Sequence, residues 1–322
     1  GLLFSLAASF IASAALWAFF PTSSVDKLME ATLLGSISSI SSDTIDVNGH
    51  SSGCPVGPAC KLPKRYATSR LRISNRMIGT TNGNFVCVTM DWWPAEKCDY
   101  GHCPWHNASM LNADLNHPLL RNAVKTLSPV VLRLGGSLTD HIIYKVPTTS
   151  GKLPPECRPI VPDADDPLGF RGGCLTMGRW DELNKFCRDL GCSVVFDLNL
   201  AGGLKSKPED PFWRGGEWDY KNVEAFLQYT RAQEYDILGF ELGNEIDIVH
   251  GVGARVPTNT MARAFRKLHA MVASLWPSKE SRPLIIGPDS SVFDMEWYLE
   301  FAVELGKDLH MIDVFTYHIY SL

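Results

Sequence analysis

The residues best suited to chemistry are Asn244 and Glu245, which follow the apolar run Ile237–Phe240. If that run is a buried strand of a parallel barrel, both side chains lie at its carboxyl end, where barrel enzymes place their reactive groups. A carboxylic acid there can protonate a departing oxygen atom, and the neighbouring amide can hold a sugar hydroxyl. We therefore interpret Glu245 as the general acid/base of a glycoside hydrolase. The alternative is an exposed loop glutamate, because a Gly-Asn-Glu tripeptide is weak evidence without its context.

Other apolar runs of the sequence also end in polar residues. Asp91 ends the first run, and Trp92 and Trp93 after it could stack on sugar rings or lie buried beneath the mouth of the barrel. His318 and Tyr320 could line the same sugar site or pack as amphipathic rings in the core, and we favour the site. The remaining polar strand ends are Ser137, Asn199 and Asp289.

Two charged residues stand inside predicted strands, Arg133 in the second and Glu241 in the fourth. Charged side chains are seldom fully buried unless they are paired. We therefore expect Glu241 to form a structural ion pair. For Arg133 we expect a structural role, in which its guanidinium holds the carboxylates of the site by hydrogen bonds.

The elements that must position these residues alternate along the chain. Besides the fourth strand, which ends before Asn244, the sequence predicts strands at 84–90, 129–134, 192–199, 282–287 and 311–317. The predicted helices are 115–127, 177–190, 217–233, 258–275 and 292–305. Strands that alternate with helices indicate a parallel sheet, either an open doubly wound sheet or most of an eight-stranded barrel. In an open sheet only the strand ends at the switch point need polar groups, whereas in a barrel all of them face one site. Because most ends are polar and no Gly-rich phosphate loop follows the first strand, we predict an α/β fold of the (β/α)8 TIM-barrel type, with about six units present.

The composition limits the classes of function. The chain has 322 residues, 45% of them hydrophobic and 20% charged, which is typical of a globular protein. The net charge of -5 argues against binding to nucleic acid. We expect no metal site, because no Cys-x-x-Cys pair is matched by a second one.

The N-terminal part of the chain differs from the rest. Residues 1–20 carry no charge and are mostly apolar, so we predict a signal peptide or signal anchor over residues 1–24. Residues 25–75 are rich in Ser, Gly and Pro and are expected to be a poorly ordered tail, which leaves 76–322 for the partial barrel. The sequon Asn107-Ala108-Ser109 is a candidate glycosylation site and is consistent with secretion.

The chain contains nine cysteines, a high count for a cytosolic enzyme. Their spacing in two short loops predicts a Cys98–Cys103 and a Cys157–Cys174 disulfide, if the protein is secreted. The cysteines on apolar faces are expected to be free thiols of the core. These are Cys87, Cys187 and Cys192.

Six motifs resemble those of plant heparanase-like proteins, which belong to the heparanase and β-glucuronidase family of glycoside hydrolases. They are Thr89–Gly101, Leu132–Ser137, Arg179–Asn184, Glu241–Glu245, Gly251–Val256 and His318–Tyr320. The match extends from about residue 74 to the end of the sequence, and it is specific because many motifs occur in order.

The resemblance implies a retaining endo- or exo-β-glucuronidase that needs no cofactor, built on a (β/α)8 barrel that is followed by a small β-sandwich. In the matching motifs, Glu245 would be the proton donor, and His318 and Tyr320 would flank the nucleophile. The glucuronic acid of a glucuronide or polysaccharide substrate would be contacted by Asp91, Asn244 and Ser137, where Ser137 stands in the place of a threonine of some relatives.

The nucleophile of this family is a glutamate after the seventh strand, and only six strands are predicted here. We therefore expect a sequence truncated at its C-terminus, a nucleophile beyond residue 322, and no turnover by this chain alone. The alternative is a non-catalytic carbohydrate-binding fragment or relative. Family members are secreted or vacuolar–lysosomal and some associate with membranes, so the resemblance implies the same locations here.

Overall fold

The computed structural model of the protein describes residues 83–99, 101–147, 157–247, 254–291 and 295–318, together with the backbone of Phe20–Pro21. The signal or anchor predicted over 1–24 and the tail predicted over 25–75 lie outside the described residues, apart from those two. Among the helices that are described, none combines the length and the apolar character needed to cross a membrane.

Six parallel strands form the main sheet, in the order in which they occur along the chain. They are β1 Cys87–Met90, β2 Val130–Leu134, β3 Cys192–Leu198, β4 Ile237–Leu242, β5 Leu284–Ser290 and β6 Val314–Tyr317. The two-residue strand Phe20–Pro21 lies antiparallel to β6 at the outer edge of this sheet. The arrangement confirms the predicted partial barrel of six parallel units.

Five helices connect these strands. Two of them, Met177–Leu190 and Thr258–Leu275, have the bounds that the sequence predicted. The five are α1 Pro118–Leu127, α2 Met177–Leu190, α3 Lys221–Ala232, α4 Thr258–Leu275 and α5 Met295–Leu305. The sequence itself marks both ends of α2. The hydroxyl of Thr176 accepts a hydrogen bond from the amide of Arg179 at 3.2 Å, and Gly191 ends the helix at a φ of 72°.

The strands bury both faces, as expected of a parallel sheet that is covered by helices. On β2, Leu132 belongs to the main core, whereas Val131 forms a small separate cluster with Val195 and Ile286. Arg133 follows Val131 by two positions, and side chains two apart on a strand point to the same face. The sheet therefore places a charged layer directly after an apolar one along its inner face.

An aromatic cluster fixes β3 against the helices. The ring of Phe196 lies 4.8 Å from that of Trp180 of α2 and 4.9 Å from that of Phe226 of α3, measured between centroids. All three side chains are almost completely buried, and burying each contributes roughly 2 kcal/mol. Phe196 packs against the helices on the outer face of the sheet. Because successive side chains of a strand point to opposite faces, its neighbour Asp197 lies on the inner face.

Two disulfides cross-link the loops at the carboxyl ends of the strands. The predicted bonds Cys98–Cys103 and Cys157–Cys174 are both present. The second one closes the long loop after β2, where Ile143–Lys145 pairs with Cys174–Thr176. These two loops contribute Asp91 and Ser137 to the region where the strands end, so the disulfides restrict the conformations of that region.

The prediction that Cys187 and Cys192 are free thiols is wrong, because the two form a disulfide. Gly191 turns the chain back after α2 in a left-handed conformation, which brings the two Cα atoms to 4.7 Å from each other. The apolar spacing of the helix predicted burial correctly but carried no information about this turn. Cys87 is the free cysteine of the described residues, as expected.

We expect the Cys187–Cys192 bond to appear in peptide mapping under non-reducing conditions, because trypsin can cleave after Arg188 between the two cysteines. Cys192→Ser should lower the free energy of unfolding by roughly 2 kcal/mol, the entropy of closing so short a loop. Cys87→Ser serves as the control and should leave the linkage unchanged. Free thiols at both positions in the oxidised protein would contradict the assignment.

Candidate active site

The guanidinium of Arg133 organises the interior of the barrel. Its Nε donates to Glu241 Oε2 at 2.7 Å, and one terminal nitrogen donates to Asn244 Oδ1 at 3.0 Å. The same nitrogen pairs with Asp197 Oδ2 at 3.4 Å and with Asp289 Oδ2 at closer range. The ion pairing of Glu241 is therefore confirmed, and the carboxyl groups that Arg133 contacts are those of Asp197, Glu241 and Asp289.

Burial dominates the ionisation of this cluster. It raises the pKa of Glu241 to about 8 and that of Asp197 well above its usual range, although the charge of Arg133 opposes both shifts. The pKa of Asp289 is lowered, because the charges of Arg133 and His318 outweigh the effect of its burial. The cluster therefore contains one carboxylate held ionised and two carboxyl groups that bind protons readily.

His318 joins this interior to Glu245. Its Nε2 lies 2.8 Å from Asp289 Oδ1 and its Nδ1 lies 2.5 Å from Glu245 Oε1. Burial lowers the pKa of His318, but the charge of Asp289 and the hydrogen bonds to both carboxylates raise it to about 10. At neutral pH the ring is therefore an imidazolium that donates through both nitrogens. The structure thus brings His318 and Glu245 together, and the position of His318 beside a nucleophile stays a prediction.

The backbone of Glu245 is held in an uncommon conformation. Its φ is 52° and that of Asp289 is 57°, both in the left-handed region that non-glycine residues seldom adopt. The amide of Glu245 donates to the carbonyl of Asp289 at 2.9 Å, so the two strained positions are joined directly. Such strain persists where the surroundings determine the conformation, and it is concentrated at functional sites.

Gly243 makes the turn that lifts this segment out of β4. It has a φ of 77°, and an added Cβ would lie 2.6 Å from Ile246 Cδ1 and 3.1 Å from Leu200 Cβ. A side chain at this position would therefore force the turn apart. Beyond the turn, Asp247 accepts from the amide of Ser291 at 2.9 Å, which ties the segment after β4 to the end of β5.

Asp140 ties three strand ends together, and sequence reasoning missed it. Its Oδ1 accepts from the amides of Leu200 and Ala201 at 2.7 and 3.1 Å, and its Oδ2 accepts from the amide of Asn244 at 3.1 Å. The loop after β2 thereby holds the segments that follow β3 and β4. The missed signal was an acidic residue three positions after Ser137, in a loop already expected to lie at the site.

Asp91 lies against Gly136, the residue before Ser137, at the mouth of the barrel. A Cβ on Gly136 would overlap Asp91 Oδ2, so the glycine is needed for this close approach. Burial raises the pKa of Asp91 to about 7, against the lowering effect of the Trp92 and Trp93 amides and the charge of Arg133. Ser137 is half-buried, and its hydroxyl has no hydrogen-bond partner among the described residues.

The remaining candidates have different positions. Trp92 and Trp93 are buried, and the indole of Trp92 donates to Thr139 Oγ1 at 2.9 Å, so burial rather than stacking on a sugar describes both. The side-chain amide of Asn199 donates to the carbonyl of Ile142, so this residue holds the loop after β2 in place.

Asn107 is exposed, as a glycosylation site must be. Tyr320 lies outside the described residues.

The sequence matches the model of the N-terminal domain of glycosyl hydrolase family 79 over residues 69–322. The chain belongs to this family. It is 42% identical to heparanase-like protein 3 of Arabidopsis thaliana over 247 residues, which cover 76% of this chain and 44% of that protein. It is 37% identical to baicalin-β-D-glucuronidase of Scutellaria baicalensis over 266 residues, which cover 79% of this chain and 49% of that protein. The resemblance to plant heparanase-like proteins is therefore confirmed, and the chain spans about half the length of these relatives.

A similarity to a solved structure is more distant. An α-L-arabinofuranosidase from Thermotoga maritima is 18% identical, with a TM-score of 0.37, over 57% of this chain and 36% of its own. A similarity at this level gives no information about function.

We expect Arg133→Met to lower the free energy of unfolding by about 3–5 kcal/mol, because it leaves buried carboxylates without their cation. Arg263→Met is the matched control. Its partner Glu217 lies 3.5 Å away and both side chains are largely exposed, so the loss should stay within about 1 kcal/mol. Denaturant unfolding at pH 7 measures both, and equal small losses would refute the central role of Arg133.

We expect the stabilisation from His318 to depend on pH. Its folded-state pKa of about 10 exceeds the ordinary 6.5, so the contribution is complete below about 6.5 and is lost as the pH rises through about 10. His318→Gln should therefore destabilise the protein most near pH 6, and the difference from the wild type should shrink toward pH 10. The exposed His102→Gln is the control. A difference that does not change with pH would show that the ring is neutral.

Proposed function

We propose that the protein is a β-glucuronidase that hydrolyses the O-glycosidic bonds of glucuronides or glucuronic-acid-bearing glycans, with Glu245 as its proton donor. The observation that carries this proposal is the contact of Glu245, at the mouth of β4, with an imidazolium anchored on Asp289. Membership of glycosyl hydrolase family 79 supports the reaction class, and the relative from Scutellaria baicalensis is named as a β-D-glucuronidase.

The acid step needs a proton on Glu245 when the bond to the leaving oxygen breaks. His318 Nδ1 lies 2.5 Å from Glu245 Oε1, and over this distance a proton can pass between the two atoms. We infer that this pair holds the catalytic proton, which Glu245 gives to the departing oxygen. Asp289 keeps the ring oriented and compensates its charge through Nε2.

A retaining mechanism needs a second carboxylate close to the first, which attacks the sugar and forms a covalent intermediate. We propose that this nucleophile is a glutamate beyond residue 322, next to His318 and Tyr320. Glu245 would then return as general base and activate the water that releases the sugar.

The groups proposed to bind glucuronic acid are Asp91, Ser137 and Asn244. Arg133 donates to Oδ1 of Asn244, which fixes the amide so that Nδ2 is left to donate to a sugar hydroxyl. With a pKa of about 7, Asp91 can be protonated at mildly acidic pH and can then bind an acidic sugar without repulsion. The hydroxyl of Ser137 can donate to the same sugar.

We also propose that the protein works in an oxidising compartment, either secreted or vacuolar–lysosomal. Support comes from the three disulfides of the described residues, since such bonds are rare in the cytosol. The exposed Asn107 is the proposed glycosylation site. A peripheral association with membranes is a further proposal that follows from the family resemblance.

The second candidate function is carbohydrate binding without catalysis. It rests on the proposed sugar-binding groups, because Asp91, Ser137 and Asn244 could hold a glucuronic acid whether or not the bond is cleaved. This candidate predicts saturable binding of glucuronides and no turnover, even in a protein that carries this chain at the full length of its relatives.

We expect Glu245→Gln, in such a longer protein, to reduce the hydrolysis of an aryl glucuronide by about 10²–10⁴-fold, the usual contribution of a general acid/base. Glu234→Gln is the matched control, because Glu234 is also a non-glycine residue of positive φ but is exposed and remote from the mouth. It should retain the wild-type rate. Equal activity of the two variants would exclude Glu245 as the proton donor, and a wild type that binds without turnover would favour the second candidate.

A further inference from the structure

Two carboxyl oxygens in the interior of the barrel have no hydrogen-bond partner among the residues that the structure describes. They are Oδ1 of Asp197 and Oε1 of Glu241, and both residues are completely buried. Nearly all buried polar atoms of proteins have a partner, because leaving one unpaired costs about 1–3 kcal/mol and more for a charged group. The chemistry of these two carboxyl groups must therefore allow both atoms to be satisfied.

The pleated sheet makes the two carboxyl groups neighbours. Glu241 of β4 stands opposite Asp197 of β3 in the parallel register, and both face the interior. Each gives its other oxygen to the guanidinium of Arg133. The cation engages one oxygen of each group, so the two unpaired oxygens belong to neighbouring side chains of the same inner layer.

If both were ionised, Asp197 and Glu241 would carry one negative charge more than Arg133 neutralises, and one proton would remove this excess. The titratable and charged groups around the pair are Cys87 from β1, Arg133 from β2, Asp289 from β5, His318 from β6, and Asp140 and Tyr144 from the loop after β2. Burial raises the pKa of Cys87 to about 12 and that of Tyr144 well above its usual range, so both are neutral near pH 7. His318 lies between Asp289 and Glu245, so Arg133 is the cation that contacts both Asp197 and Glu241.

We propose that Asp197 and Glu241 share one proton, and that this bridged pair positions Arg133 beneath the proposed proton donor. A single O–H···O bond between the two unpaired oxygens satisfies both of them at once. The bridged pair then carries one negative charge, which the guanidinium neutralises. The raised pKa of both carboxyl groups agrees with this assignment but is not its basis.

A metal ion is the competing explanation, since one oxygen each of Asp197, Glu241 and Asp289 lie within 4.8 Å of one another. A hard cation such as Ca²⁺ takes about six to eight oxygen ligands. Asp289 already contacts both Arg133 and His318, so only two unpartnered oxygens are available there. The guanidinium also repels a second cation. A proton needs no further ligands, so the geometry favours it.

The bridge has a consequence for the reaction, which rests on the proposed function. Arg133 also donates to Asn244, the neighbour of Glu245. When the shared proton is lost, the second negative charge draws the guanidinium toward Asp197 and Glu241 and away from Asn244. The rate of hydrolysis should therefore fall at alkaline pH, and the pKa of this fall should be that of the Asp197–Glu241 pair rather than that of Glu245. Asp197 and Glu241 are positioning residues in this scheme, because neither touches the substrate.

The test is infrared spectroscopy of the chain with ¹³C-labelled glutamate side chains, in a Glu245→Gln background. Glu241 is the fully buried glutamate of the described residues, so a labelled band of a protonated carboxyl group above pH 6 reports it. We expect this band to persist at pH 6 and to vanish as the pH rises past about 8. If this band is absent at pH 6, and a matching ¹³C-aspartate label shows no protonated band that Asp197→Asn removes, the proposal is overturned.

Asp197→Asn, made in the same background, separates a shared proton from two independent ones. With Asn at this position its amide can donate to Glu241 Oε1, so Glu241 should ionise and the labelled band should be missing at pH 6. A band that survives in Asp197→Asn would show that Glu241 holds its own proton, and would overturn the proposal. The exposed Glu234→Gln is the control and should leave the band unchanged.

Two further measurements complete the test. Saturable stabilisation of the wild type by Ca²⁺ or Na⁺, abolished by Asp197→Asn, would replace the proton by a cation and overturn the proposal. In the longer protein, Asp197→Asn should shift or remove the alkaline limb of kcat and leave the KM for an aryl glucuronide nearly unchanged. If the longer protein shows no turnover, the proposed function fails, whereas the infrared result still decides the proton bridge.

Discussion

Three buried carboxyl groups from three strands converge on one guanidinium, that of Arg133, and the mouth of the barrel is built on this contact. Without the cation, the carboxyl groups of β3, β4 and β5 would lose their common partner, and a buried charge without a partner costs several kcal/mol. With it, the strands are tied together at one level of the sheet. The side chains at the mouth follow one or more residues later, so their positions depend on this layer.

The mouth itself is fixed by contacts between strand ends rather than by single strands. Asp140 holds the segments after β3 and β4, and Asp247 holds the segment after β4 to the end of β5. The strained backbone of Glu245 is linked directly to that of Asp289. Neighbouring loops therefore define one another, which is how a site formed by several loops can be rigid without secondary structure of its own.

Sequence patterns predicted what depends on periodicity and on short-range signals. Helix α2 was predicted with its correct bounds from the helical spacing of its apolar residues. The inward Arg133 was recognised because a charge inside a buried strand must be paired. The first strand was predicted too long, since Phe85 and Val86 are apolar but exposed. Apolar character alone does not reveal which residues the sheet covers.

Contacts between distant segments could not be predicted in the same way. The Cys187–Cys192 disulfide depends on a left-handed turn, and the role of Asp140 depends on three amides from other loops. Neither leaves a periodic signal in the sequence. The candidate Glu245 was found because a strand pattern precedes it, whereas its link to Asp289 through His318 emerged only from the assembled sheet.

The bond between Glu245 and His318 joins residues that are 73 positions apart in the sequence. Contacts of high sequence separation form slowly during folding, because the intervening chain must be ordered before they are gained. While the polypeptide is being synthesised, β4 and its glutamate emerge well before the strand that carries the histidine. The side chain proposed to donate the proton therefore acquires its geometry only after β5 and β6 have added to the sheet.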